Sequence, residues 1–407
     1  MFILFITLHV AGFVYLSYLC GMKTERWLPT ASSCTIDLLR FPIMAMVVYL
    51  HFNIAVNGFY LHGVEQFTNY TPWLTAVIRL SSDVFGYIAP PFFFMVSGFF
   101  FFYAQDLTPQ FYLKQMKRRV FTLLIPYLVW NTIAIVLCLV RMMPSLSFIF
   151  HDAGLIQVIF TPLRLLRTYF YANATNGIFV FPQVATNAGI MGAPIIMPLW
   201  FVRDLMFCGL LAPIIGWTIN HTRGWMLCIM AAIWYYIQTC WGEEAGWPFY
   251  VSTALFFFTL GAYFAMRRID FVAIMSRHTS FIYIYALLAV ADWLTPTATI
   301  NPFIHTAAGA AGVTAALAVA HWLHTHFNIT TSKLLTGSCM IVLAAHTIIM
   351  HDLGKLILTL THWPDTPPFI LLFYITIPAI TIILCVATYY VLQRFAPTIC
   401  HLLTGGR

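Results

Sequence analysis

Apolar residues run along this chain in blocks too long for an ordinary soluble helix. The first block spans Met1 to Gly21, and others lie near residues 36–60, 83–104, 120–141, 198–219, 224–241, 248–266, 279–294, 303–323, 334–351 and 368–393. Most approach about 18 to 24 residues, the length a helix needs to cross a bilayer. Their period is helical and lacks the alternation of the roughly 10-residue strands of an outer-membrane barrel. The pattern predicts an all-α polytopic transmembrane helix bundle of about eleven spans. Met1–Gly21 carries no basic n-region, and its nearest charges, Lys23, Glu25 and Arg26, follow it. That reads as a retained helix and not as a secretory signal. Two parts are expected: an N-terminal helix with a short basic loop over residues 1–30, and a membrane domain over residues 31–407.

Composition narrows the function classes. Of 407 residues, 61% are hydrophobic and 8% charged, against about 25% charged in soluble domains. So few charges cannot cover a water-soluble enzyme of this size, and they exclude a disordered chain and a nucleic-acid binder. Nine Cys are scattered with no CxxC, which reads as small buried hydrophobes without a disulfide framework or zinc site.

Charge placement sets an orientation. With the N-terminus outside, 13 of the 20 basic residues fall in cytoplasmic loops, led by the cluster Lys114, Lys117, Arg118 and Arg119. The positive-inside rule therefore favours N-out, C-in. The long connection 142–197 holds an amphipathic stretch, Leu155 to Tyr171 with Arg164 and Arg167, read as a helix lying in the outer interface.

Ionisable groups inside spans are costly and are functional candidates by default. Arg40 and His51 lie eleven residues apart on the second block. On a helix this leaves them about 20° apart around the axis and about 16 Å apart along it. Pro42 removes one backbone bond between them. The competing reading has Arg40 snorkelling to the inner headgroups and His51 simply packed. On the third block, Ser97 and Gly98 interrupt a wall of aromatics, where another helix or an acyl chain can approach. The Lys114–Arg119 cluster suits the phosphates of a nucleotide-like donor, or anionic lipid, or topology alone. His321, His324 and His326 do not share one helical face, so they read as an interfacial cluster and not a metal site.

Taken in order, these pieces resemble the acyltransferase 3 family of integral membrane acyltransferases. The resemblance rests on Arg40-(ten residues)-His51, Phe92-Phe-Phe-Met-Val-Ser97-Gly98-Phe99, the basic run into Leu124-Ile-Pro126-Tyr127, Pro198-Leu-Trp200-Phe-Val-Arg203-Asp204, and Ser338 to His346. It covers roughly residues 35–393. The family includes O-antigen acetylases and glucan succinyltransferases of bacteria. It implies a ten-span core, here with one extra N-terminal helix, and an essential Arg and His, here Arg40 and His51. It also implies supporting roles for Asp37, Ser97 and His346. The family's Arg-x-x-Arg is incomplete: Arg119 fits the first position, but the second is Thr122, with Lys117 or Arg118 as stand-ins.

The implied chemistry is acyl transfer from cytoplasmic acyl-CoA, acetyl ahead of succinyl, to a hydroxyl of an envelope glycan or glycolipid. His51 is the expected base. Arg40, and with it Arg203, would stabilise charge on the donor or on the tetrahedral oxyanion. Lys117, Arg118 and Arg119 would hold the CoA phosphates. Arg203 can also face the acceptor, with Asp204 as its ion-pair partner. The expected location is the bacterial inner membrane. The rival reading is a proton-coupled transporter or flippase, which buried Arg, Asp and His also suit. No inverted repeat or matched pair of broken helices supports it.

Overall fold

The computed structural model describes residues 28–61, 64–103, 108–141, 169–170, 193–222 and 224–406. The apolar block Met1–Gly21 and nearly all of the interfacial stretch 155–171 lie outside them. The described chain is helical, with one two-stranded antiparallel hairpin that pairs Tyr60 with Glu65 and Leu61 with Val64.

Seven helical runs among the described residues are long and apolar enough to cross a membrane: Thr30–His51, Pro72–Phe102, Pro109–Leu137, Trp247–Met266, Asn301–Phe327, Lys333–Leu360 and Pro367–Phe395. Two further pairs pass the same test but bend, Met197–Leu210 with Ala212–Thr222 by 61°, and Phe271–Arg277 with Ser280–Leu294 by 74°. Counting each bent pair as one span gives up to nine. The block at 224–241 forms a 12-residue helix, Trp225–Tyr236, closed by the π-helical turn Ile237–Trp241. The all-α polytopic bundle expected from the hydropathy pattern is the architecture found.

Helix starts follow capping chemistry. Pro72, Pro109, Pro367 and Pro397 open their helices, where a missing N–H has no cost. Thr108 accepts from Phe111 N at 3.2 Å, Asp270 from Ala273 N at 3.0 Å, and Ser332 from Leu334 N at 3.1 Å. At the first bent pair, Pro213 follows the break and cannot donate back to Gly209. Pro42, by contrast, sits within a continuous helix from Thr30 to His51.

The described residues group into two compact units. The first holds the described residues up to Pro42 and those within Ile88–Val120 and Asp204–Thr331. At its centre Ala89–Phe102 crosses Trp247–Met266 through two glycines. A Cβ on Gly98 would fall on the Phe258 carbonyl, and one on Gly261 on the Met95 carbonyl. The gap left for Ser97 and Gly98 is thus filled by a helix. Phe99 meets Phe271 edge-on at 4.9 Å beside it. The Ala- and Gly-rich helix Asn301–Phe327 packs on Ser280–Leu294, with Gly312 under Tyr285 and Ile88.

The second unit holds Ile43–Tyr87, Phe121–Arg203 and Ser332 to the C-terminus. Lys333–Leu360 and Pro367–Phe395 form its main helix pair. The C-terminal helix Pro397–Thr404 folds back on Ile125–Arg141, where Trp130 Nε1 donates to the Leu403 carbonyl at 3.0 Å. Phe52, Phe59, Phe67 and Phe373 form a buried ring cluster between the hairpin and that pair.

Candidate active site

Within the second unit, His51 and His346 meet. Their ring centroids lie 5.1 Å apart at 75°, edge to face. His51 is the last residue of Thr30–His51. His346 stands in the middle of Lys333–Leu360 and is fully buried. His51 Nδ1 faces the Val47 carbonyl at 3.1 Å, and His346 Nδ1 faces the Val342 carbonyl at 2.7 Å. Both Nε2 atoms are shielded from solvent and have no hydrogen-bond partner. His351 lies beside this pair and stacks on Phe59 at 5.8 Å and 8°. Ser338, two turns before His346, is fully buried and donates to the Leu335 carbonyl at 2.9 Å, so its hydroxyl serves its own helix.

Two residues beyond His51, buried Asn53 donates from Nδ2 to Asp83 Oδ1 at 2.7 Å. Asp83 lies in the π-helical turn Leu80–Val84, a local widening common at functional sites. Arg79 Nε reaches the other carboxylate oxygen at 3.5 Å. Ser81, on the same turn, has its Oγ 2.8 Å from the hydroxyl of Tyr374 on the helix Pro367–Phe395. Sequence reasoning did not single out Asn53, Asp83 or Tyr374. The available signal was Arg79-x-x-x-Asp83, an i,i+4 pair inside an apolar run. The apolar block begins only at residue 83 by hydropathy, which leaves Arg79 outside it, whereas the helical run starts at Pro72.

The neighbouring loops carry hydrogen-bonding groups outside the spans. Asp365 accepts from Thr68 Oγ1 at 2.8 Å and from Asn69 Nδ2 at 2.9 Å. Burial, with Glu65 and Asp365 close by, pushes the Tyr70 hydroxyl well above its ordinary range and keeps it protonated. Arg203 Nη1 donates to the Phe170 carbonyl at 2.8 Å.

Within the first unit, Arg40 pairs with Asp37 at 3.0 Å, both side chains more than a third exposed. Its guanidinium lies 5.9 Å from the Phe100 ring. The basic run divides in two. Lys114, Lys117 and Arg118 are exposed, while Arg119 turns inward over Phe101 at 4.5 Å and Phe258 at 5.8 Å. Ser97 is half-buried beside the Gly98 crossing. Asp204, fully buried, accepts from Trp247 Nε1 at 3.3 Å. His321 Nδ1 faces Thr35 Oγ1 at 3.2 Å, and His324 and His326 face main-chain carbonyls. Among the described residues no group of three His, Cys, Asp or Glu side chains is placed to hold a metal ion.

This geometry offers a shielded pair of imidazoles and, elsewhere on the chain, exposed cations. Residues 35–390 match the model of the acyltransferase domain of the acyltransferase 3 family. The chain belongs to that family. It is an integral membrane O-acyltransferase. It is similar to the succinoglycan biosynthesis protein ExoH of Rhizobium meliloti (strain 1021), 25% identical over 392 residues covering 92% of each chain. No solved structure matches it. The family match begins at Thr35, two residues before Asp37, and takes in every candidate residue from Asp37 to His346.

Proposed function

We propose that this acyltransferase moves an acetyl or succinyl group from cytoplasmic acyl-CoA to a hydroxyl of an envelope polysaccharide or its lipid-linked precursor. The carrying observation is His51. It is an imidazole at a helix end whose Nε2 is shielded and unpartnered, in a chain of this family. An alcohol is a poor nucleophile at neutral pH, and a positioned base accelerates its attack by about 10² to 10⁴. The name of the Rhizobium relative places that protein in polysaccharide synthesis, which supports a glycan acceptor here.

Distance divides the remaining roles. Arg40 and His51 share one continuous helix, so about 16 Å separates them along the axis. They cannot touch one reacting carbon. Arg40, held by Asp37, acts on the charged donor, and His51 acts on the acceptor hydroxyl. Exposed Lys117 and Arg118 supply the phosphate contacts, for which surface cations are suited. Arg203 faces the glycan. This division goes with an inner-membrane enzyme whose basic loop is cytoplasmic and whose helix runs from Thr30 on the inner side toward His51.

The test is in two parts. Purified protein is given acetyl-CoA or succinyl-CoA with the polysaccharide of its own host, and thiol release is followed. In parallel, envelope polysaccharides from a deletion strain are weighed by mass spectrometry. Loss of one acyl increment, restored by the wild-type gene, supports the reading. An unchanged envelope together with no thiol release sinks it.

A further inference from the structure

Building on the base role proposed for His51, the geometry points to a second imidazole working with it. A main-chain carbonyl only accepts hydrogen bonds. The contacts of His51 Nδ1 with Val47 and of His346 Nδ1 with Val342 therefore require a hydrogen on each Nδ1. In a neutral ring the other nitrogen is then a bare acceptor. Two such Nε2 lone pairs lie on rings 5.1 Å apart, both shielded from water and both without a partner. A buried acceptor left without a donor is costly, and here two are left on adjoining rings. Simple packing gives no reason for that, because an apolar ring would fill either place without the cost.

The arrangement makes sense once a proton arrives. When His51 takes one on Nε2, the new imidazolium already has its Nδ1–H on the Val47 carbonyl. A charge formed in this shielded position is expensive unless its new N–H also finds an acceptor. The acceptor hydroxyl cannot serve, because its oxygen is becoming the ester oxygen. His346 Nε2 is the other bare acceptor at hand.

We propose that His346 is the proton-sharing partner of His51, a positioning residue that acts through it. The step balances as follows. The acceptor hydroxyl gives its proton to His51 Nε2 as its oxygen forms the new C–O bond to the acyl carbon. The thioester C–S bond breaks, and its electron pair leaves with sulfur. The proton is shared between the two Nε2 atoms and then returned to the thiolate, so both rings finish neutral.

The test compares His346→Phe, which keeps a ring but has no acceptor, with His346→Gln, whose amide oxygen accepts. Each is purified as the full chain and assayed for thiol release from acyl-CoA. The expected result for His346→Phe is a fall in kcat of about 10²-fold, the lower end of what a general base contributes. KM for acyl-CoA should stay unchanged, and His346→Gln should recover about tenfold of the loss. A His346→Phe enzyme within about threefold of wild type in kcat overturns the proposal, as does a Gln variant no better than Phe. Should the Phe variant fail to fold, the wild-type protein decides. With ¹⁵N-labelled histidine, both rings are expected to show a protonated Nδ1 and a bare Nε2. A protonated Nε2 on neutral His346 overturns the pairing. If wild-type protein releases no thiol from any acyl-CoA, the donor reading fails, and the nitrogen spectrum still decides the pairing.

Discussion

Gly98 and Gly261 form one helix crossing from its two sides: each presses its bare Cα against a carbonyl oxygen of the opposite helix, those of Phe258 and Met95. Backbone stands against backbone, so no side chain can rotate away. Gly261→Ala and Gly98→Ala are each expected to destabilise the first unit by at least about 1–3 kcal/mol, the usual cost of overpacking. Melting midpoints in detergent check this. Ser97→Ala, one residue away and half-buried, is the control and should shift the midpoint little. An alanine at 261 that melts with wild type would disprove the crossing.

Replacing His51 with Gln should lower turnover by about 10² to 10⁴ while yield and melting stay at wild-type values. The substitution leaves an amide of similar reach that cannot take a proton. Thiol release beside a melting curve separates a lost base from a lost fold. Retained turnover would remove His51 from the mechanism.

The basic run should split by experiment as it does in space. Lys117→Ala with Arg118→Ala removes two exposed cations. It should raise KM for acyl-CoA several-fold and flatten its salt dependence, since exposed charges are screened by salt. Arg119→Ala removes the ring contacts with Phe101 and Phe258, which at partly buried sites contribute about 0.5 to 2 kcal/mol. Its effect should appear first in the melting midpoint. The opposite pattern would assign phosphate binding to Arg119.

Asp37→Asn tests whether its pair with Arg40 serves stability or orientation. The two side chains are partly exposed, and such pairs contribute about 0–1 kcal/mol. Melting should hardly change. A several-fold rise in KM for the donor, with kcat kept, is the expected sign that Asp37 orients Arg40. Unchanged kinetics would leave Asp37 without a role.

Hydropathy made the spans legible because lipid-facing and buried helices share one composition. It misplaced the block read at 36–60, where the helix runs from Thr30 to His51. Phe52, Ile54 and Phe59 extended the apolar reading, but the helix stops at His51, a separate four-residue helix Ile54–Asn57 follows and closes at Gly58, and the rings of Phe52 and Phe59 pack on Phe373 instead of lipid. His51 therefore stands at a helix end. Arg40 and His51 were legible as a spaced pair on one element. The meeting of His51 with His346 was not, because nothing in a single sequence sets the register between two distant helices. The inward turn of Arg119 was hidden for the same reason, since it depends on Phe258 of another helix.

The anchors of the two imidazoles have a consequence for how such an enzyme changes over generations. Val47 and Val342 hold them through main-chain oxygens. Every amino acid supplies that oxygen, so mutation at positions 47 and 342 cannot delete it. Selection there acts on shape alone, and a side chain that fits the packed helix leaves the orientation of both rings intact.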